Sequence, residues 1–356
     1  MKISTLPQVY RNANRWREIL GVLSKYGLAG WLSRFELPLG VSLLKDSNGQ
    51  RIGSMSRDER IRRAIEELGP TFIKLGQILS TRPDQVGLPL AAELTKLQSN
   101  APVDSTAWVR RVIEEDFGRP VEACFAEFEE EPVASASIGQ VHRATLADGA
   151  RVAVKVLHEG IEQRVNVDSD ILVGLAELAE GIPEMRNYRP AATAADFQRT
   201  IRRELDLSQE RRRLEQFSGF FDGDPRVRLP RAIGERCSRR VLTAEWIDGL
   251  KVNDPRLRER LDANGQRSRV QLKEVARHGA EVFTEMIFDH GVYHADPHPG
   301  NLLVMPDGKI GLIDFGMVGR LSDSLREDLE DMLIAIVANE PAQLTSVITR
   351  VGQTPP

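Results

Sequence analysis

The strongest constraint on this chain is a loop sequence in its last quarter, His294-Ala295-Asp296-Pro297-His298-Pro299-Gly300-Asn301. An apolar strand, Ile310-Gly311-Leu312, and the turn residues Ile313-Asp314-Phe315-Gly316 follow it. Two prolines and a glycine keep Asp296 and Asn301, five residues apart, off any helix, so a scaffold must hold both. A carboxylate can accept or orient a nucleophile's proton. An amide oxygen and a second carboxylate, Asp314, suit a hard cation such as Mg²⁺ shared with phosphates. His294 and His298 stand four apart in this broken loop rather than on one helical face, which disfavours a histidine metal pair. Upstream, Arg151-Val152-Ala153-Val154-Lys155-Val156 reads as a strand returning from the hairpin turn Asp148-Gly149. It can project the Lys155 ammonium onto phosphates.

A strand lysine, then Asp-x₄-Asn, then Asp-Phe-Gly, in that order, is the protein-kinase signature set. The loop before the lysine hairpin departs from it. Ala134-Ser135-Ala136-Ser137-Ile138-Gly139 puts alanines where two of the phosphate-loop glycines belong. The Ala136 methyl and its restricted φ are expected to keep the backbone from approaching phosphates freely and so to slow γ-phosphate transfer.

The helices ahead of this loop carry a second signal. One helix is expected from about Ser56 to Leu68, with a break at Gly69-Pro70 and another helix through Leu79. The second is apolar almost all round, with Lys74 and Gln77 on one side opposite Phe72, Leu75 and Leu79. A lysine there either snorkels or is held by a carboxylate. In residues 1–35, Lys2, Arg11, Arg15, Arg17, Lys25 and Arg34 stand against Glu18 alone, and Trp16, Ile19, Leu20, Leu23, Tyr26 and Trp31 share a face. Such a helix lies on an anionic membrane surface or packs on the rest of the chain with its arginines in solvent.

Composition excludes several classes. A formal charge of −4 and a pI near 6.0 argue against a nucleic-acid binder. Arg202-Arg203 and Arg211-Arg212-Arg213 alternate with Glu204, Asp206, Glu210 and Glu215, as on a salt-bridged helix. Two cysteines, Cys124 and Cys237, exclude a disulfide scaffold and a four-cysteine zinc site. With no long apolar run and no signal-peptide core at the start, the expectation is a reduced, cytoplasmic chain that does not span a membrane.

The segments Phe72 to Asp84, Ser137-Ile138-Gly139-Gln140-Val141-His142-Arg143-Ala144 and His294 to Asn301 resemble the UbiB family of atypical, protein-kinase-like proteins, from roughly Arg60 to Gly319. The resemblance implies an α+β, two-lobed kinase fold with a helical N-terminal extension. It implies ATP or ADP binding with Mg²⁺, little protein phosphorylation, and support of isoprenoid-quinone biosynthesis or lipid homeostasis, often at a membrane. By motif, Lys74, Gly76 and Gln77 form the extension signature, and Ala134, Ser135, Ala136, Ser137, Ile138 and Gly139 the nucleotide loop. Lys155 becomes the phosphate lysine, Asp296 the catalytic carboxylate, and Asn301 and Asp314 the metal ligands. Glu204 and Asp206 match the family's Glu-x-Asp motif, with Glu210 a turn beyond, and Glu245 is a further nucleotide-site candidate at the end of a strand. Glu204 thereby becomes a partner for Lys74, while either Glu204 or Glu210 can serve Lys155.

The expected organisation is a basic segment over 1–55, the extension over 56–130, an N-lobe with inserted helices over 131–248 and a C-lobe over 249–356. Two departures stand out. Leu157-His158-Glu159-Gly160 lacks the family's Arg-Pro after the lysine strand, and only 40 residues follow Gly316, so the C-lobe reads as cut short. Expected partners are an adenine nucleotide, an anionic membrane surface, and quinone-biosynthesis proteins or lipid precursors, with no nucleic acid. Two other readings stay open: a small-molecule phosphotransferase like aminoglycoside and choline kinases, and a nucleotide-gated scaffold.

Overall fold

Capping residues set the first helices where the sequence puts them. In a computed structural model, which describes residues 12–28, 55–97, 102–257 and 266–352, helix α1 spans Ala13–Lys25, α2 Arg57–Leu68 and α3 Pro70–Ser80. The Ser56 hydroxyl accepts the Glu59 amide at 3.1 Å and starts α2. Gly69, at φ +94°, then turns the chain, and Pro70 opens α3.

The contacts of the described residues fall into two units. The first comprises the chain up to Gly149, Val154–Asp206 and Ser238–Val241; the second comprises Ala150–Ala153, Leu207–Cys237 and Leu242 onward. In the first unit, Ile19, Val22 and Tyr26 of the α1 region pack on Ala64, Leu68, Phe72 and Ile171. Burying side chains of this size is worth about 1.5–3 kcal/mol each. This is the packed alternative for the N-terminal helix, with one correction. Arg15 is not in solvent but turns inward, its Nε 2.6 Å from the wholly buried Asp168. Lys2, Arg11, Trp31 and Arg34 lie outside the described residues.

Helix α4 (Thr106–Phe117) leads into a sheet in which β1 (Glu127–Phe128) and β2 (Ala134–Ser135) both pair with β3 (Gly139–Thr145). β4 (Arg151–Leu157) follows β3 in this sheet, and a later strand, β6, spans Val241–Glu245. Val152, Val154 and Val156 are wholly buried, which sets Lys155 on the opposite, partly exposed face. Helices α5 (Ile161–Glu180) and α6 (Pro190–Glu204) complete the unit as a closely packed pair.

On β3, His142 is fully buried and stacked on Phe128 with ring centroids 5.1 Å apart. Burial pushes its pKa below the ordinary imidazole value of 6.5, only partly opposed by its bond to the Glu129 carbonyl. The folded state therefore favours the neutral ring. This stabilisation is complete above pH 6.5 and is lost as the pH falls from there through the lowered folded-state pKa. Urea unfolding at pH 7 and 5.5 should show wild type losing stability on acidification by up to about 1.4 kcal/mol per pH unit more than His142→Asn. Equal losses in the two proteins would contradict the buried neutral ring.

The second unit begins with α7 (Leu207–Phe220). Its larger sheet orders β5 (Val227–Arg228), β10 (Ile310–Leu312), β9 (Leu302–Val304) and β7 (Leu250–Lys251). β8 (Val292–His294) pairs antiparallel with β11 (Val318–Arg320). Phe217, Val282, Met286, Leu312 and Phe315 form the core, to which α8 (Gln266–Phe288) contributes Val282 and Met286. Helices α9 (Asp323–Val337) and α10 (Pro341–Val351) follow β11 and pack together. Cys124 and Cys237 are both free thiols, and no helix among the described residues is long and apolar enough to cross a membrane.

Candidate functional site

The candidate residues divide between the two units, and each group has its own framework. In the first, the alanine-rich segment is a tight hairpin. Ala134 pairs with Val141 and Ser135 with Gln140, and the Ala136 amide donates to the Gly139 carbonyl at 2.9 Å. This corrects the expectation for Ala136. Its N–H is consumed inside the turn, so the methyl is not what keeps that amide from a phosphate. Gly139 is needed where it is: a Cβ there would sit 2.5 Å from the Val156 carbonyl oxygen, so the base of the hairpin rests directly on β4. Ser137 and Ile138 are buried at the turn.

Lys74 on α3 meets Glu204 at the end of α6, Nζ to Oε1 3.1 Å, with the two side chains 13% and 4% exposed. The polar side of α3 is thus held by a carboxylate rather than snorkelling. Gln77 lies almost one turn further on, half-buried. Gly76, on the buried side, leaves no room for a side chain, since a Cβ would lie 2.3 Å from Leu97 Cδ1. With Glu204 paired to Lys74, this glutamate is not simply one of the intrahelical partners of the neighbouring arginines. Arg202 reaches Asp170 at 3.1 Å instead.

In the second unit, one buried ring organises the loop residues. His294, 2% exposed, accepts the Asp296 amide at its Nδ1 at 3.3 Å and donates from Nε2 to the Asp314 carbonyl. It therefore links the two carboxylate-bearing segments. The Asn301 side-chain nitrogen donates to the Asp296 carbonyl (3.2 Å) and to its Oδ2 (3.3 Å). The Asp314 Oδ1 accepts the Gly316 amide at 2.7 Å. Phe315 is 1% exposed, packed between Phe217 and His294 at centroid distances of 5.1 and 5.3 Å.

Arg213 escaped the sequence reading. Charge alternation made it one of several arginines on a salt-bridged helix, and Arg211 does pair with Glu215 at 3.4 Å. Arg213 instead donates to the carbonyls of Phe315 (3.3 Å) and Gly316 (2.5 Å). Glu210, a turn earlier on α7, is 6% exposed. Glu245 ends β6 with its carboxylate accepting from Arg228 (2.8 Å) and from the Arg231 amide (3.2 Å).

Asp314 and Asn301 carry hard oxygen donors, of the kind that could hold a cation such as Mg²⁺.

An α+β fold with a strand lysine, an Asp-x₄-Asn loop and an Asp-Phe-Gly turn defines a protein-kinase-like module. The chain belongs to the ABC1 atypical kinase-like family, whose domain matches residues 96–348. It is 35% identical over 346 residues to a probable protein kinase UbiB of Marinobacter nauticus, covering 95% of this chain and 62% of that protein. A probable protein kinase UbiB of Pseudomonas aeruginosa is 36% identical over 307 residues, 85% of this chain and 56% of its own length. The chain thus spans about 60% of the length of such relatives. Among solved structures, the complex of Rv3197 with erythromycin from Mycobacterium tuberculosis matches with a TM-score of 0.54 and 26% identity, over 80% of this chain and 70% of that one.

Proposed function

We propose that the chain binds an adenine nucleotide with Mg²⁺ and uses it for slow phosphoryl transfer or hydrolysis in support of isoprenoid-quinone or lipid metabolism, with little activity on proteins. The observation that carries this reading is the His294-linked arrangement of Asp296, Asn301 and Asp314. Lys155 orients the phosphates. Asp296 takes the proton of the attacking hydroxyl or water as its oxygen bonds to the γ-phosphorus, while the bond from that phosphorus to the nucleoside diphosphate breaks. Asn301 and Asp314 hold the Mg²⁺, which supplies charge neutralisation on the phosphates when bound. The Lys74–Glu204 pair favours this reading over an aminoglycoside- or choline-kinase-like enzyme, which has no use for such an extension helix.

The test is thermal stability with ATP and ADP, with and without Mg²⁺, followed by phosphate release with and without anionic vesicles or a phenolic quinone-precursor analogue. Mg²⁺-dependent stabilisation and turnover raised by the vesicles or the phenol are expected. Binding without turnover under every condition would favour the nucleotide-gated scaffold, and no binding would overturn the nucleotide site.

A further inference from the structure

The Ala-rich hairpin is gripped by residues that none of its motifs include. His158, at the end of β4 and 7% exposed, has an oxygen at each ring nitrogen: Asp104 Oδ2 at 2.6 Å from Nδ1 and the Ala136 carbonyl at 2.9 Å from Nε2. Its own amide donates to the Ile138 carbonyl at 3.0 Å. Asp104 closes the arrangement from the other side. The same carboxylate oxygen accepts the Glu159 amide at 3.3 Å, and its backbone N–H donates to the Gln140 side-chain oxygen at 2.8 Å. Gln140, 1% exposed on β3, continues the chain of bonds from its nitrogen to His142 Nε2 at 2.9 Å.

Asp104 is itself fixed. The next residue, Ser105, caps α4, and Trp108 of that helix donates from its indole to the Leu157 carbonyl at 3.2 Å. The turn of the hairpin and its return strand are therefore both tied to one residue of the extension. A loop that merely packed would need no such bridge, since apolar contacts at Ile138 would suffice. Two short bonds to a carboxylate and a carbonyl fix direction as well as distance.

We propose that Asp104 and His158 are positioning residues that set the shape of the Ala-rich hairpin for nucleotide binding, so that the extension controls the nucleotide loop through a histidine bridge. This rests on the reading of residues 134–139 as a nucleotide loop. The bridge occupies the turn where the family pattern has Arg-Pro, and His158 stands there with a ring nitrogen toward each of the two oxygens.

The test compares wild type with Asp104→Ala, His158→Ala, the double variant and His158→Arg, whose guanidinium keeps two donors within reach of both oxygens. Asp104→Asn stands in for alanine if the alanine protein does not fold. Amide exchange in the nucleotide-free protein reads the hairpin directly, and titration with MgATP reads its use. Wild type is titrated first: if it binds no MgATP, the nucleotide reading falls and this proposal with it. Where wild type binds, each single variant is expected to speed exchange over residues 134–139 and to weaken MgATP about tenfold. The double variant should be no weaker than the worse single one, because both break one bridge. His158→Arg should stay within about twofold of wild type. Unchanged exchange, unchanged affinity despite faster exchange, additive losses, or His158→Arg as weak as His158→Ala would each overturn the proposal while leaving the nucleotide site intact.

Discussion

Asp296→Asn is expected to lower turnover by about a thousandfold while leaving the affinity for MgATP within about twofold, and Asp314→Asn to lower that affinity itself by about a hundredfold. The proposed function gives the two carboxylates different parts, and the structure holds them differently. Asp296 faces the Asn301 amide nitrogen and is positioned by the His294 ring through its backbone. Its proposed part is that of a proton acceptor of fixed direction, which an amide would not replace. Asp314 spends one oxygen on the Gly316 amide, and its carbonyl is tied to His294. A neutral oxygen at that position would lose the charge with which Asp314 is proposed to hold a hard cation. Affinity by titration and phosphate release under saturating MgATP separate the two effects. Equal affinities for Asp314→Asn and wild type would move the metal site elsewhere, and full turnover by Asp296→Asn would remove it as the base.

The second large effect concerns stability. Lys74→Met should destabilise the nucleotide-free protein by about 3 kcal/mol or more, because it leaves the Glu204 carboxylate, 4% exposed, without the ammonium 3.1 Å away. Combining it with Glu204→Leu should recover much of that loss, since two apolar side chains carry no desolvation penalty at the junction of α3 and α6. Thermal melting without nucleotide reads both. A single variant as stable as wild type, or a double variant as unstable as the single, would mean that the pair carries no buried charge balance. Any change in nucleotide affinity for these proteins is a separate quantity, measured after stability is matched by temperature.

The parts of this molecule that were legible in the sequence are those whose signal is local. Asp296, Asn301 and Asp314 sit within nineteen residues, and their spacing is set by loop and turn backbone alone. The limits of α2 and α3 follow from Ser56, Gly69 and Pro70, again within one turn of each boundary. Lys74 was half legible: the helical wheel demanded a partner, but the partner is 130 residues away and only the family resemblance named it. The bonds of Arg213 to the Phe315 and Gly316 carbonyls were not legible, because charge alternation along a helix does not say which arginine reaches a distant backbone. The Ala136 turn needed the β2–β3 pairing to be seen, since alanine at a loop position does not reveal where its N–H points. Asp104 and His158 lie 54 residues apart with no periodicity or motif joining them. The broken Arg-Pro pattern at His158 was the one available sign.

Arg213 gives the second unit a connection that its loop motifs do not contain. By donating to the carbonyls of Phe315 and Gly316, it ties α7 to the turn that carries Asp314. Were Asp314 to hold the proposed cation, occupancy there and the ordering of α7 would be linked reciprocally, each shifting the other by the same factor.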